Sequence, residues 1–376
     1  MRADENAPSP AANPACAGRM IGPGGPETRR AASPAYAGAP LRTVFMGTPD
    51  FAATILNRIL EASFLNVRAV YTRPDRPAGR GRKIGVSPVK ALALERSLPV
   101  FQPAGFKSGP ETDAACRELA ALRPDLLITA AYGLILPRRV LDIPKLAPVN
   151  VHASLLPLYR GAAPVERALM AGERCTGVSI MRMTEEMDAG PILMQRAVAV
   201  GLNETCGELR GELAREGAEL LVQCLERLAA GLVRPVEQDV LRVSFAPKIS
   251  GADCLLDFSL PAFLLHARIR ALHPRPGAYM VLRRKDKEDL RVIAEPGVHP
   301  LTPAMRARLK TAGTCNGAGH ILGIEDGALL IACGDSAYAF TRLRPAGKAD
   351  MEAAAFFNGY LAGRPEAACS ISLVSG

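Results

Sequence analysis

The sequence predicts an α/β fold: a Rossmann-like, open and largely parallel sheet with helices on its faces, followed by a smaller unit of short strands with the pattern of a β-barrel. Three observations carry this. Residues 41–46 are a strand-like apolar run, Gly47-Thr48-Pro49-Asp50 a turn and 51–61 a helical pattern, which is how an α/β domain opens. Residues 126–131 form a continuous apolar run, as expected of a parallel strand covered on both faces. Beyond residue 277 short strand-like pieces alternate with turn signals, which suits a small barrel. At 376 residues the chain exceeds one typical domain, so two folded units and tails are expected.

In chain order, residues 1–40 are rich in Ala, Pro and Gly, with no hydrophobic periodicity and no apolar segment of a secretory signal. A disordered extension is expected, and acidic Asp4, Glu5 and Glu27 argue against a mitochondrial transit peptide. The first folded unit spans 41–231. Its opening turn holds one glycine and lacks the Gly-x-Gly-x-x-Gly spacing, so a dinucleotide cofactor is not supported. A second strand, 67–72, leads into a loop with Arg73, Arg76, Arg80, Arg82 and Lys83 against one acid, Asp75. Its prolines and glycines favour an extended, mobile loop. Such a charge run is usually a solvated surface; beside a cleft it also suits contact with a phosphate backbone.

Ser87 and Pro88 open a helix running to Arg96, with Pro88 at the tolerated first position. A short strand at 98–101, a helix at 111–122 and the buried strand 126–131 follow. The segment 132–137, with Tyr132 and Gly133, lies at that strand's carboxyl end, where it either packs or meets a ligand. Later, Thr205 and Glu208 make a capping box, and Leu209, Leu213, Leu220, Leu221, Leu225 and Leu228 form a helix stripe closed by Gly231. Prolines 235 and 247 mark residues 232–250 as a linker. The second unit, 251–376, starts with a helix at 260–272 and continues with strands at 278–282, 290–293, 319–324 and 328–332.

The chemistry centres on residues 149–157 and the acidic loop 185–190. Residues 149–152 read as a short buried strand, with Asn150 and His152 on one face and Val149 and Val151 on the other. Alone, Asn-x-His also fits a satisfied core histidine beside a buried amide. The runs 176–183 and 192–200 read as a β-hairpin whose tip presents Asp188, which reaches His152 if the hairpin packs beside that strand. An amide donor, an imidazole and a carboxylate suit acyl-type transfer through an oxyanion, the carboxylate fixing the imidazole tautomer. No Gly-x-Ser-x-Gly elbow is present and no Cys lies near His152 in sequence, which weakens hydrolase readings.

Asn150, His152 and Asp188, with Ser154-Leu155-Leu156-Pro157 directly after the histidine, resemble the signature of the formyltransferases that use 10-formyltetrahydrofolate. The stretches 46–52, 73–83 and 160–164 resemble the branch of that family whose acceptor is initiator methionyl-tRNA. The resemblance implies 10-formyltetrahydrofolate as formyl donor and initiator methionyl-tRNA as acceptor. It implies Asn150, His152 and Asp188 as catalytic residues. Folate contacts would come from Ser154, Leu155, Leu156 and Pro157 and from the backbone at Tyr132 and Gly133. The basic loop Arg73, Arg76, Arg80, Arg82 and Lys83 would enter the tRNA acceptor arm, and the second unit would be OB-like and support tRNA.

Composition agrees with this reading. The net charge of +9 favours a polyanionic partner, and no apolar run reaches the roughly 18–20 residues of a membrane span. Nine scattered cysteines form no Cys-x-x-Cys pair, and no His stands at ligand spacing. Reduced thiols, a cytoplasmic monomer and no metal are expected. Two rivals stand: a folate-dependent formyltransferase acting on a small amine or sugar, and an idle RNA-binding protein on the same scaffold.

Overall fold

A computed structural model describes residues 20–21, 38–78, 83–107, 109–284, 287–312 and 317–361. Of the expected N-terminal extension, only Met20–Ile21 and residues 38–40 fall within these; Met20–Ile21 is a two-residue strand pairing antiparallel with Ile192–Ala199.

The apolar runs assemble one eight-stranded mixed sheet. Leu41–Gly47 lies at its centre. Leu65–Tyr71 and then Val100–Phe101 lie parallel on one side, and Leu126–Ala130 and then Ala147–His152 lie parallel on the other. The order of the parallel strands therefore reverses between Leu41–Gly47 and Leu126–Ala130, and ligands of open α/β sheets bind in the crevice outside the carboxyl ends at such a point. Thr48 Oγ1 donates to the Tyr132 carbonyl across this crevice at 3.1 Å. The single glycine of the first turn serves packing, since a Cβ at Gly47 would sit 2.6 Å from the Ala52 Cβ.

All five residues of Leu126–Ala130 are buried, as the unbroken apolar run requires. The hairpin Cys175–Arg182 and Ile192–Ala199 extends the sheet antiparallel beside Ala147–His152. Behind that pair the helix Cys206–Ala229 passes close: a Cβ at Gly217 would lie 3.1 Å from both Val151 and Val178. Its capping box forms, Thr205 N donating to Glu208 Oε2 at 2.9 Å, and the six stripe leucines are buried.

The described residues fall into two units, one within 1–164, 174–199 and 210–246, the other within 165–173, 200–209 and 247–376. Residues 232–246, expected within a linker, run along the first unit: Val236 bridges Ile192, and Phe245–Ala246 pairs parallel with Arg160–Gly161. The second unit holds only antiparallel pairs among its described strands. A four-stranded sheet contains Ala278–Arg284, Lys287–Ala294, Arg342–Pro345 and Met351–Glu352; a three-stranded one contains Ile321–Glu325, Ala328–Ala332 and Ala337–Phe340. Their core gathers Met280, Val292, Ile331 and Phe340 on Leu265 and Ile269 of the helix Ala262–Leu272.

Candidate active site

Strand register brings the predicted catalytic trio together. Val149 and Val151 of Ala147–His152 are fully packed, so Asn150 and His152 take the opposite face at the carboxyl end. The hairpin strand pairs Ser179 with His152 and Met181 with Asn150. Its tip returns Asp188 to the imidazole, Oδ2 standing 3.6 Å from Nδ1 of a histidine that is 6% exposed.

The imidazole is not fixed as the sequence suggests. Nε2 of His152 lies 2.9 Å from the Tyr159 carbonyl oxygen. A carbonyl only accepts, so Nε2 carries the proton and the tautomer is set by main chain, not by Asp188. The physical reason is the turn after His152, which folds the chain back until Tyr159, at φ +59°, presents its carbonyl to the ring. Nδ1 is left facing Asp188 at a separation longer than a hydrogen bond.

Asn150 is oriented from the neighbouring strand. Thr129 pairs with it in register, and Thr129 Oγ1 donates to Asn150 Oδ1 at 2.8 Å, leaving the amide NH2 for a ligand. Nothing in the sequence reading singled out Thr129; its one signal is a hydroxyl in an otherwise apolar central strand.

Asp188 sits at φ +52°, and its Oδ2 accepts from the Gly161 amide at 2.9 Å. That amide belongs to the strand Arg160–Gly161, which Phe245–Ala246 covers so closely that a Cβ at Gly161 would lie 2.8 Å from the Ala246 carbonyl oxygen. Buried Gln238 also reaches this tip, donating to the Asp188 and Gly190 carbonyls, both at 2.8 Å.

The residues expected at the folate are divided. Ser154 and Leu156 turn inward: Ser154 Oγ donates to the Leu158 carbonyl, and Ser179 Oγ accepts from Leu156 N and donates to the Ser154 carbonyl. Leu155 packs over Gly177, and Pro157 is half-buried. This turn supports His152, with the Ser154 hydroxyl and the Leu156 amide bonded within the protein. Gly133 instead lines a cavity of about 780 Å³ with Phe106, Lys107, Leu134 and Ile135. The Tyr132 ring is buried in the core, its hydroxyl without a partner among the described residues and its pKa raised by burial and the nearby Tyr71, so its offer to a ligand there is main chain.

Of the basic loop, Arg73 lies against Gly133, within 3.4 Å of where a Cβ would stand. Arg76 and Lys83 belong to a small antiparallel pair, Arg76–Ala78 with Lys83–Gly85, where an extended loop was expected. Arg80 and Arg82 lie outside the described residues. The loop's one acid does not neutralise it. Asp75 is held by Lys90 Nζ at 2.5 Å and by Gln102 Nε2 at 2.9 Å, bonds that lower its pKa. Among the described residues no group of three or more His, Cys, Asp and Glu side chains is placed to hold a metal ion.

A family model for formyl transferases matches residues 41–225, and one for the formyl transferase C-terminal domain matches 248–361. Methionyl-tRNA formyltransferase of Nitratidesulfovibrio vulgaris is 46% identical over 334 residues, 88% of this chain and 96% of that protein. The same enzyme of Pseudomonas fluorescens is 43% identical over 311 residues, 82% of this chain and 91% of that protein. Among solved structures, HypX from Aquifex aeolicus in complex with tetrahydrofolic acid superimposes with a TM-score of 0.53 at 19% identity, over 86% of this chain and 48% of that one. WlaRD, a sugar 3N-formyl transferase, does so with a TM-score of 0.54 at 15% identity, over 83% and 100%. At those identities the structural likeness shows a shared fold. Two domain matches in chain order, with 46% identity along nearly all of a relative, show that the chain belongs to the methionyl-tRNA formyltransferase family.

Proposed function

We propose that this protein transfers the formyl group of 10-formyltetrahydrofolate to the α-amino group of initiator methionyl-tRNA, through Asn150, His152 and Asp188. The observation that carries this is the convergence of those three side chains at the carboxyl edge of the sheet, with Nδ1 of His152 and Oδ2 of Asp188 3.6 Å apart, in a chain 46% identical to a methionyl-tRNA formyltransferase.

An α-amine has a pKa of about 8, so part of it is neutral and nucleophilic at neutral pH without a strong base. Its lone pair attacks the formyl carbon, and the carbonyl electrons move onto oxygen. The Asn150 amide donates to that oxyanion, an interaction worth roughly 2.7–4 kcal/mol for a well-placed donor. Nδ1 of neutral His152 takes the proton of the attacking nitrogen, and the imidazolium is stabilised by the Asp188 carboxylate. Nδ1–H then protonates the leaving N10 as the C–N10 bond breaks, releasing tetrahydrofolate and N-formylmethionyl-tRNA.

The cavity at Gly133 accommodates the folate donor, with main chain at Tyr132–Gly133 and the 154–157 turn as contacts. Arg73, Arg76, Arg80, Arg82 and Lys83 engage the phosphates of the acceptor arm. The enzyme works as a cytoplasmic monomer without a metal. Formyl transfer from 10-formyltetrahydrofolate to charged initiator tRNA, free methionine and an amino-sugar nucleotide tests the reading: only the charged tRNA should be formylated efficiently. Faster transfer to the amino sugar would establish a small-acceptor enzyme instead.

A further inference from the structure

We infer that Gln238 is a positioning residue for catalysis, a buried strut that holds the Asp188 carboxylate at its working distance from His152. This rests on the formyl-transfer reading above and deepens it.

The hairpin tip that carries Asp188 is held by polar contacts: the Gly161 N–H on its carboxylate, an ion pair at 3.6 Å between Arg160 Nη1 and Glu186 Oε1, and Gln238. Glu185, Glu186 and Met187 are exposed, Met187 by 62%, so no apolar packing there fixes the carboxylate. Gln238, 7% exposed, fastens the tip from the side. The strand bridge between Ile192 and Val236, with N–H to carbonyl bonds of 2.8 and 2.9 Å, delivers it two residues later. Both amide protons are then spent on the tip, one on the carbonyl of Asp188 itself and one on that of Gly190. Its Oε1 accepts from Arg160 Nε at 3.0 Å and Nη2 at 2.9 Å.

The neighbours fix the amide's orientation. Arg160 can only donate and the two carbonyls can only accept, so oxygen and nitrogen cannot be exchanged. The contacts also bracket Asp188 from two sides. Arg160 directly precedes Gly161, whose N–H holds Asp188 Oδ2. Gln238 therefore connects the backbone of the catalytic carboxylate to the strand that anchors its side chain. A buried polar group satisfied at all of these contacts rigidifies what it joins, and a misplacement of about 1 Å at a reacting group can cost about 100-fold in rate.

The test is a double-mutant cycle on formyl transfer to methionyl-tRNA, measured in the steady state. Gln238→Glu keeps the size of the side chain and the acceptor for Arg160 but removes both donors to the tip. We expect kcat to fall about 10- to 100-fold with KM for 10-formyltetrahydrofolate unchanged, and the Gln238→Glu/Asp188→Asn double variant to be no slower than Asp188→Asn alone. A strut acting through Asp188 has nothing left to position once the carboxylate is gone. Wild-type kcat in Gln238→Glu, or losses that multiply in the double variant, would overturn the inference. If Gln238→Glu melts below the assay temperature, Gln238→Met enters the same cycle under the same criteria. Absence of transfer by the wild type would instead remove the formyl-transfer reading, so the two failures are separate.

Discussion

Nε2 of His152 donates to the main-chain carbonyl of Tyr159 at 2.9 Å. That one bond assigns the ring's two nitrogens to different tasks. Nε2 is held by the scaffold, so in the proposed mechanism the proton moves through Nδ1, the nitrogen 3.6 Å from Asp188.

A glutamine in place of His152 puts an amide nitrogen near the Nε2 position and nothing at Nδ1. His152→Gln should therefore keep the bond to Tyr159 and fold normally while kcat falls by about 10² to 10⁴, the usual span of a general acid–base contribution. Steady-state kinetics beside a thermal melt check this; near-wild-type turnover would show that Nδ1 does no proton work.

Thr129 should matter through Asn150. Replacing it with the isosteric Val leaves Asn150 Oδ1 without its 2.8 Å donor and frees the amide to turn. We expect Thr129→Val to lower kcat about 10-fold and stability by about 1–3 kcal/mol, with Thr129→Ser close to wild type. If Val matches Ser in kcat, the amide is oriented by something else.

How much of this was legible follows from which interactions are local. Period-two alternation assigned faces to Val149, Asn150, Val151 and His152, and the hairpin pattern set Asp188 at a tip, because both are rules of neighbouring residues. The bond from Tyr159 depends on how a turn closes, and the pairing of Thr129 with Asn150 on the register of strands 21 positions apart. Gln238 lies 50 residues from Asp188, in a stretch whose prolines suggested a linker. No periodicity records such contacts. The turn at Ser154 shows the reverse: a motif next to His152 whose hydroxyl is committed to its own backbone. In the second unit, turn signals revealed several strands but not Ala337–Phe340, whose four residues are all buried and so show no alternation.

The basic loop can be tested by salt. If Arg80 neutralises a backbone phosphate, Arg80→Ala should weaken methionyl-tRNA binding and flatten the dependence of log affinity on log salt by roughly one unit, leaving KM for 10-formyltetrahydrofolate unchanged. Filter binding from low to high salt measures the slope, and an unaltered slope would take the loop off the tRNA.

Acid stability should be limited by His266 in the second unit. Its Nδ1 faces the Tyr338 hydroxyl at 2.9 Å and Nε2 faces Asn203 Oδ1 at 3.0 Å, with the His299 ring tilted against it at 5.3 Å between centroids. Burial, then Arg270 and His299, push its pKa down to about 3. The folded state holds this ring neutral while the unfolded chain protonates it below about pH 6.5, so stability is complete above that pH and declines as pH falls toward 3. The slope approaches about 1.4 kcal/mol per pH unit. Thermal melts between pH 6.5 and 5 should fall more steeply for wild type than for His266→Gln; parallel curves would show that His266 does not set the acid limit.

The central claim is that three side chains, two from the strand Ala147–His152 and one from the hairpin tip, act together on one formyl group. The most direct measurement is the rate of N-formylmethionyl-tRNA formation by Asn150→Ala, His152→Ala and Asp188→Ala at saturating 10-formyltetrahydrofolate, each variant confirmed folded. The account predicts a loss of about 100-fold or more in every one, on the scale of a lost oxyanion donor or proton carrier; rates close to wild type in all three would contradict it.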